Sequence, residues 1–254
     1  ISMSKFCILF PQYFLFFLFY YIILILQWRY NTMYTFSYFN QAHIINLFSN
    51  LILGLILLSI PKISKINKYK FGAFIGYFIV LLKIFETIYR LKYEHFSWAE
   101  SAPLHFCNFT IIVCGIYLIS KNHILFCLSY FFSFGALSAL ILPGVNTYYH
   151  PLFFALFMIT HSMIIISVLY GFIWFKERPD FNGFIVSEVT VLILFITAHF
   201  YNKKFGTNFM FLKTYIAPFF DFIKPFSLYI AIMIPSFLLV IFLLYIPFRK
   251  NKRG

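Results

Sequence analysis

The chain has 254 residues, 62% of them hydrophobic and 11% charged, and carries a formal charge of +13. A water-soluble fold of this size needs far more polar surface, and long apolar runs without alternation exclude a β-barrel, so the protein belongs in lipid as helices. The basic charge sits in short links and near the C-terminal end, with no polar domain to carry it, which argues against a nucleic-acid partner.

Eight apolar segments are predicted, at about 8–28, 43–61, 71–90, 102–119, 123–143, 151–175, 183–201 and 226–248. Each is long enough, or nearly so, to cross a hydrocarbon core of about 30 Å as a helix. The first follows Lys5, is long for a signal-peptide core and lacks a small-residue cleavage site, so it is expected to be a retained helix. Short polar or Pro/Gly-containing links such as 61–70, 143–151 and 176–183 join the segments. The expected architecture is all-α, a polytopic transmembrane helical bundle of about eight helices forming one domain over residues 1–254.

Charge in the links orients the bundle. One set holds Lys5, the four lysines from Lys62 to Lys70, Lys121, Lys176, Arg178 and the four basic residues from Arg249 onward. The other holds Arg29, Arg90, Lys92, Lys203, Lys204, Lys213 and Lys224, with Lys83 left inside the third segment. The richer side is expected to be cytoplasmic, which places both termini there in a cell membrane.

With that orientation the unusual polar residues gather at the outer end. His43 opens the second segment, Glu86 and Arg90 close the third, and Glu100, His105 and Cys107 open the fourth. His150 and His161 lie in the sixth and His199 closes the seventh, while Lys83 and Glu188 break the pattern. Ionisable groups in hydrocarbon are costly unless paired or hydrated, so the clustering suggests a polar cavity. Glu86 and Arg90 are four apart and Lys83 and Glu86 three apart, so each pair shares a helix face; a bracing ion pair and a substrate contact are both compatible with that spacing.

The stretch from Glu100 to Asn108 is the most informative. Pro103 suits the first turn of a helix, and Cys107 near that N-terminus feels the positive dipole and unpaired N–H groups that favour a thiolate, the form able to attack an acyl carbonyl. The plainer reading is a small inert hydrophobe. His105 is only two residues away and points elsewhere, so a base must come from another helix. His161 is the leading candidate, with His43 and His199 as alternatives, each also readable as a structural hydrogen-bonder.

The link from Asn202 to Lys213 is polar and then aromatic, and is expected to be a partly re-entrant loop or a plain cap. Gly206 permits close backbone approach there and Asn208 offers both donor and acceptor. Asn108-Phe-Thr110 matches a glycosylation sequon only by chance, since it lies inside a helix. Cys7, Cys107, Cys114 and Cys127 have no CxxC spacing, so neither a disulfide framework nor a zinc site is read from them. A phosphate-binding Gly loop, HExxH, GxSxG and paired-aspartate motifs are also missing. No cofactor and no metal are expected.

Several blocks carry a resemblance. They are Phe36-Ser37 with His43, Glu86, Pro103-Leu-His105-Phe-Cys107-Asn108, the run from Ser133 through Gly135 to Pro143, His161, and Gly206-Thr-Asn208-Phe-Met-Phe-Leu212. Over about residues 36–248 the chain resembles the YwaF-type bacterial integral membrane proteins, related to transmembrane protein 164 of animals. The resemblance implies seven related helices, with residues 1–30 an added one. Because the animal relatives look like phospholipid acyltransferases using a Cys and a His, it also implies catalytic roles for Cys107 and His161.

The expected reaction moves an acyl chain from a membrane phospholipid through a cysteine thioester to a lysophospholipid or a lipoprotein acceptor. His43, Glu86, Arg90, His105, Asn108, Gly206 and Asn208 are the expected substrate contacts. The competing class is a transporter or solute-binding membrane subunit with an outer-facing polar cavity.

Overall fold

A computed structural model of the chain describes residues 34–144, 147–216 and 220–249. The predicted segment 8–28 lies outside the described residues. Among those described there are seven helices: α1 Gln41–Ile63, α2 Lys68–Tyr93, α3 Phe106–Ser120, α4 His123–Ile141, α5 Pro151–Tyr170, α6 Phe181–Phe205 and α7 Phe226–Tyr245. All but α3 are long and apolar enough to cross a membrane, α5 being prolonged by a π turn to Phe175 and α7 by a 3-10 turn to Phe248.

Polar caps start these helices where the apolar runs begin. The side chains of Asn40, Asn67, Asn122 and Asp180 accept hydrogen bonds from the first free backbone N–H groups of α1, α2, α4 and α6, satisfying donors that lipid cannot. A short antiparallel pair, β1 Tyr34–Thr35 with β2 Thr147–Tyr148, ties the lead into α1 to the link before α5. Glu94 completes that corner: its buried carboxylate, at the C-cap of α2, accepts from the backbone N–H groups of Tyr149 and His150 at 2.9 and 3.0 Å. Burial raises its pKa above the usual carboxylate value, against these two hydrogen bonds that lower it.

Helix α5 lies at the centre and packs on α1, α2, α3 and α4. Its Met158, Met163 and Tyr170 are fully buried. The outer faces of α1 and α2 instead display Leu51, Leu55, Phe74 and Leu81, apolar surface of the kind lipid tails cover. Helices α2 and α3 approach most closely where Gly76 meets Gly115: a Cβ on Gly76 would stand 2.7 Å from the Gly115 carbonyl oxygen. Small residues at a helix crossing let backbones approach in this way.

The fourth predicted segment is corrected at its start. The helix begins at Phe106, not near residue 102, and Pro103 precedes it rather than occupying its first turn. Ala102, the residue before proline, is held extended at φ −58°, ψ 141°, as the proline ring demands of its predecessor. With 15 residues, α3 spans only about 22 Å at about 1.5 Å per residue, short of a hydrocarbon core of about 30 Å. Asn108 near its start meets Lys83, ten residues before the end of α2, so the N-terminus of α3 is recessed from that end, and the chain before it includes a 3-10 turn at Ala99–Ser101.

Candidate functional site

The polar cluster forms where α2, α3 and α5 meet below that recess. Lys83 and Glu86, both buried, form a tight ion pair one turn apart on α2. Arg90 adds a second cation, its guanidinium 3.5 Å from the other Glu86 oxygen and stacked 4.0 Å over the Phe96 ring. The same Lys83 ammonium donates to Asn108 Oδ1 on α3 at 2.8 Å. Glu86 therefore bridges two cations while Lys83 bridges two helices.

Cys107 lies one residue before Asn108, in the first turn of α3, and is half-buried. The Lys83 ammonium is within electrostatic reach of its sulfur. On its other side Gly135 of α4 gives it room, since a Cβ there would stand 2.6 Å from the Phe106 ring and 3.5 Å from the Cys107 sulfur.

His161 enters from α5. Its Nδ1 lies 2.7 Å from the Phe157 carbonyl oxygen. A carbonyl only accepts, so Nδ1 carries the proton and Nε2 keeps the free lone pair. The buried ring stacks on Phe157 at 4.1 Å and is within electrostatic reach of Glu86, Lys83 and Arg90.

The other candidates are placed differently. His43 is fully buried with both nitrogens engaged: Nδ1 accepts from the Phe39 N–H at 3.1 Å, so Nε2–H donates to the Leu140 carbonyl at 2.8 Å. That arrangement pins α1 to the end of α4. His199 is exposed on α6 beside Phe200. His105 caps α3 and is walled by the rings of Phe209 and Phe211 at 4.9 and 5.3 Å.

The loop after α6 dips into the bundle and closes the mouth of α3. Gly206 ends α6 at φ +74°, the left-handed conformation that glycine accepts without strain. Asn208 shapes the loop, accepting from the Lys213 N–H at 2.8 Å and donating to the Thr214 hydroxyl at 2.6 Å. The residue that anchors it was not singled out from the sequence. Buried Asn202 accepts from Thr207 Oγ1 and the Phe209 N–H and donates to the Phe209 carbonyl. An Asn in the last turn of a helix, four residues before the Gly that ends it, is the signal that could have revealed it.

Glu100 sits at the rim, where hydrogen bonds from Ser97 lower its pKa below the usual carboxylate value. An open hollow on the bundle's flank, lined by Ile88, Leu91, Lys92, Phe96, Ser97 and Trp98, adjoins Arg90 across the Phe96 ring. The cluster thus combines a thiol, an imidazole with a free nitrogen, and two cations facing one carboxylate.

A family model described as the TMEM164 family matches residues 38–245. An uncharacterized protein of Treponema pallidum (strain Nichols) is 30% identical over 158 residues, 62% of this chain and 66% of that protein, so the chain spans just under two thirds of its relative. No solved structure matches.

Proposed function

Since this chain belongs to the TMEM164 family and carries six helices long and apolar enough to cross a membrane, we propose that it is a multi-pass membrane acyltransferase. Cys107 is the nucleophile, His161 the general base, and a membrane phospholipid the acyl donor. The observation that carries this reading is the tautomer of His161: with Nδ1–H held by the Phe157 carbonyl, Nε2 is left as a base in the same charged cluster as the cysteine.

In the proposed reaction His161 Nε2 takes the Cys107 thiol proton and the sulfur attacks the ester carbonyl carbon. The ester C–O bond breaks, and the departing lysophospholipid oxygen takes the proton back from His161. A hydroxyl of a second lysophospholipid, or an amine or hydroxyl of a lipoprotein, then attacks the thioester, frees the thiol and leaves acylated. Lys83 pairs with Glu86 and Asn108, and Arg90 pairs with Glu86 while lying within electrostatic reach of Glu94 and Glu100. The Lys83 ammonium, within electrostatic reach of the Cys107 sulfur, suits a thiolate there. The charged end faces outward and the lysine-rich end the cytoplasm.

The test is to supply purified protein with acyl-labelled phospholipid. Hydroxylamine-sensitive label on the chain is expected, absent in Cys107→Ser and formed at least about 100-fold more slowly in His161→Ala. Acyl transfer that survives Cys107→Ser would overturn the assignment and leave the cluster as a solute-binding or transport site.

A further inference from the structure

At the opposite end of the bundle, far from Cys107, a second group of side chains converges from two corners of the fold. His123 and Cys127 lie one turn apart at the start of α4, and Asp180 caps α6. His123 Nε2 lies 3.5 Å from Cys127 Sγ and 3.4 Å from Asp180 Oδ2, and all three donor atoms lie within 4.8 Å of one another. We propose that these residues form a zinc site, with His123 Nε2, the Cys127 sulfur and Asp180 Oδ2 as ligands.

The geometry fits the ion. Bonds of about 2.3 Å to sulfur and about 2.0–2.1 Å to nitrogen and oxygen make tetrahedral edges of about 3.6 Å between N and S and about 3.3 Å between N and O. The two edges from His123 already have those lengths. The chemistry of each group fits as well. Glu177 Oε2 stands 2.7 Å from His123 Nδ1, which holds the proton there, leaves Nε2 as a lone pair, and orients the ring as a carboxylate behind a metal-bound histidine does.

Asp180 divides its oxygens: Oδ1 accepts the Gly183 N–H at 2.7 Å as the helix cap, while Oδ2 faces His123. The Asp180 backbone N–H is directed at the Cys127 sulfur, which lies so close to α6 that a Cβ on Gly183 would stand 2.3 Å from it. Binding displaces the thiol proton to solvent, so Zn²⁺ with one thiolate and one carboxylate is neutral, which suits a site at the edge of lipid.

Two further features belong to this end of the bundle. Tyr117 is fully buried, its hydroxyl lacks a hydrogen-bond partner among the described residues, and it is within electrostatic reach of Cys127 and Glu177. His123 and Asp180 are partly exposed, with side-chain exposures of 39% and 48%, so an ion and a water for the fourth position can enter from the aqueous side. The site would clamp the corner between α3 and α4 to the one between α5 and α6. The spacing His123-x-x-x-Cys127 put both ligands on one helix face, but the sequence could not bring Asp180 to them.

The test uses the full chain in detergent or nanodiscs, stripped with a chelator and titrated with Zn²⁺ against a chromophoric competitor, and with Co²⁺ as a spectroscopic probe. One ion per chain, a sulfur-to-cobalt charge-transfer band, and a higher melting temperature with Zn²⁺ are expected. Cys127→Ser should lose the band, and Glu177→Gln should weaken Zn²⁺ binding about 10- to 100-fold. Asp180→Asn guards against simple misfolding, because its amide oxygen still caps α6 while its NH₂ cannot ligate; it should fold, bind at least about 10-fold more weakly and lose the thermal shift. Less than stoichiometric Zn²⁺ on the wild type, a band that survives Cys127→Ser, or unchanged affinity in Asp180→Asn would overturn the site and leave His123 as a structural bridge between Glu177 and Asp180.

Discussion

Lys83 and Asn108 are joined across two helices by a hydrogen bond of 2.8 Å, and this contact sets the level of the recessed α3 against α2. Lys83 lies ten residues before the end of α2 and His161 ten residues after the start of α5, each about 15 Å below the charged end at about 1.5 Å per residue. The short helix brings Cys107 down to that level, which a full-length helix starting near residue 102 would not have done.

Lys83→Met is therefore expected to leave Glu86 with Arg90 alone and Asn108 without its donor. Loss of about 2–4 kcal/mol of stability is anticipated, because removing one member of a buried pair leaves the other compensated only by the more distant Arg90. Reversible unfolding in mixed micelles would measure it. A double-mutant cycle with Glu86→Gln should return a coupling of about 1 kcal/mol or more; additive losses would show that the two charges act independently.

Gly76→Val tests the crossing that holds α2 against α3. The added side chain meets the Gly115 carbonyl and the Leu118 and Ile119 side chains, so the helices must separate at a cost of about 1–3 kcal/mol. Disulfide trapping between cysteines introduced at positions 83 and 108 should become slower than in the parent.

Asn202→Leu removes three buried hydrogen bonds from the loop over α3, each worth about 1 kcal/mol net. Limited proteolysis should then cut between 206 and 213, where the parent resists. Any acyl-transfer activity should fall as well, since His105 loses the Phe209 and Phe211 rings that wall it.

Glu94→Ala strands the N–H groups of Tyr149 and His150, and about 2–3 kcal/mol of stability should be lost at neutral pH. The pH dependence runs the other way. With its folded pKa raised above 4.5, the carboxyl holds its proton more tightly in the folded state, so this group's contribution to stability falls as pH rises from about 4.5 through the raised value. Glu94→Gln should flatten that part of the stability profile, which chemical denaturation at a series of pH values would reveal.

The sequence by itself determined the helical class, because long apolar runs without alternation can satisfy their backbone only as helices in lipid. It also determined the seven described helices to within a few residues and the sharing of one face by Lys83, Glu86 and Arg90, since helical spacing alone sets which side chains are neighbours. Only the tertiary structure decided the rest. It set where α3 begins, because Pro103 and the preceding 3-10 turn compete locally with helix. Among the histidines, it engaged both nitrogens of His43, left His199 exposed and brought His161 to the charged cluster, since that depends on which helices pack together. The meeting of His123 and Cys127 with Asp180, more than 50 residues further along the chain, has the same cause. One helix face can be read from local spacing, but the partner facing it is chosen by the packing of the whole bundle.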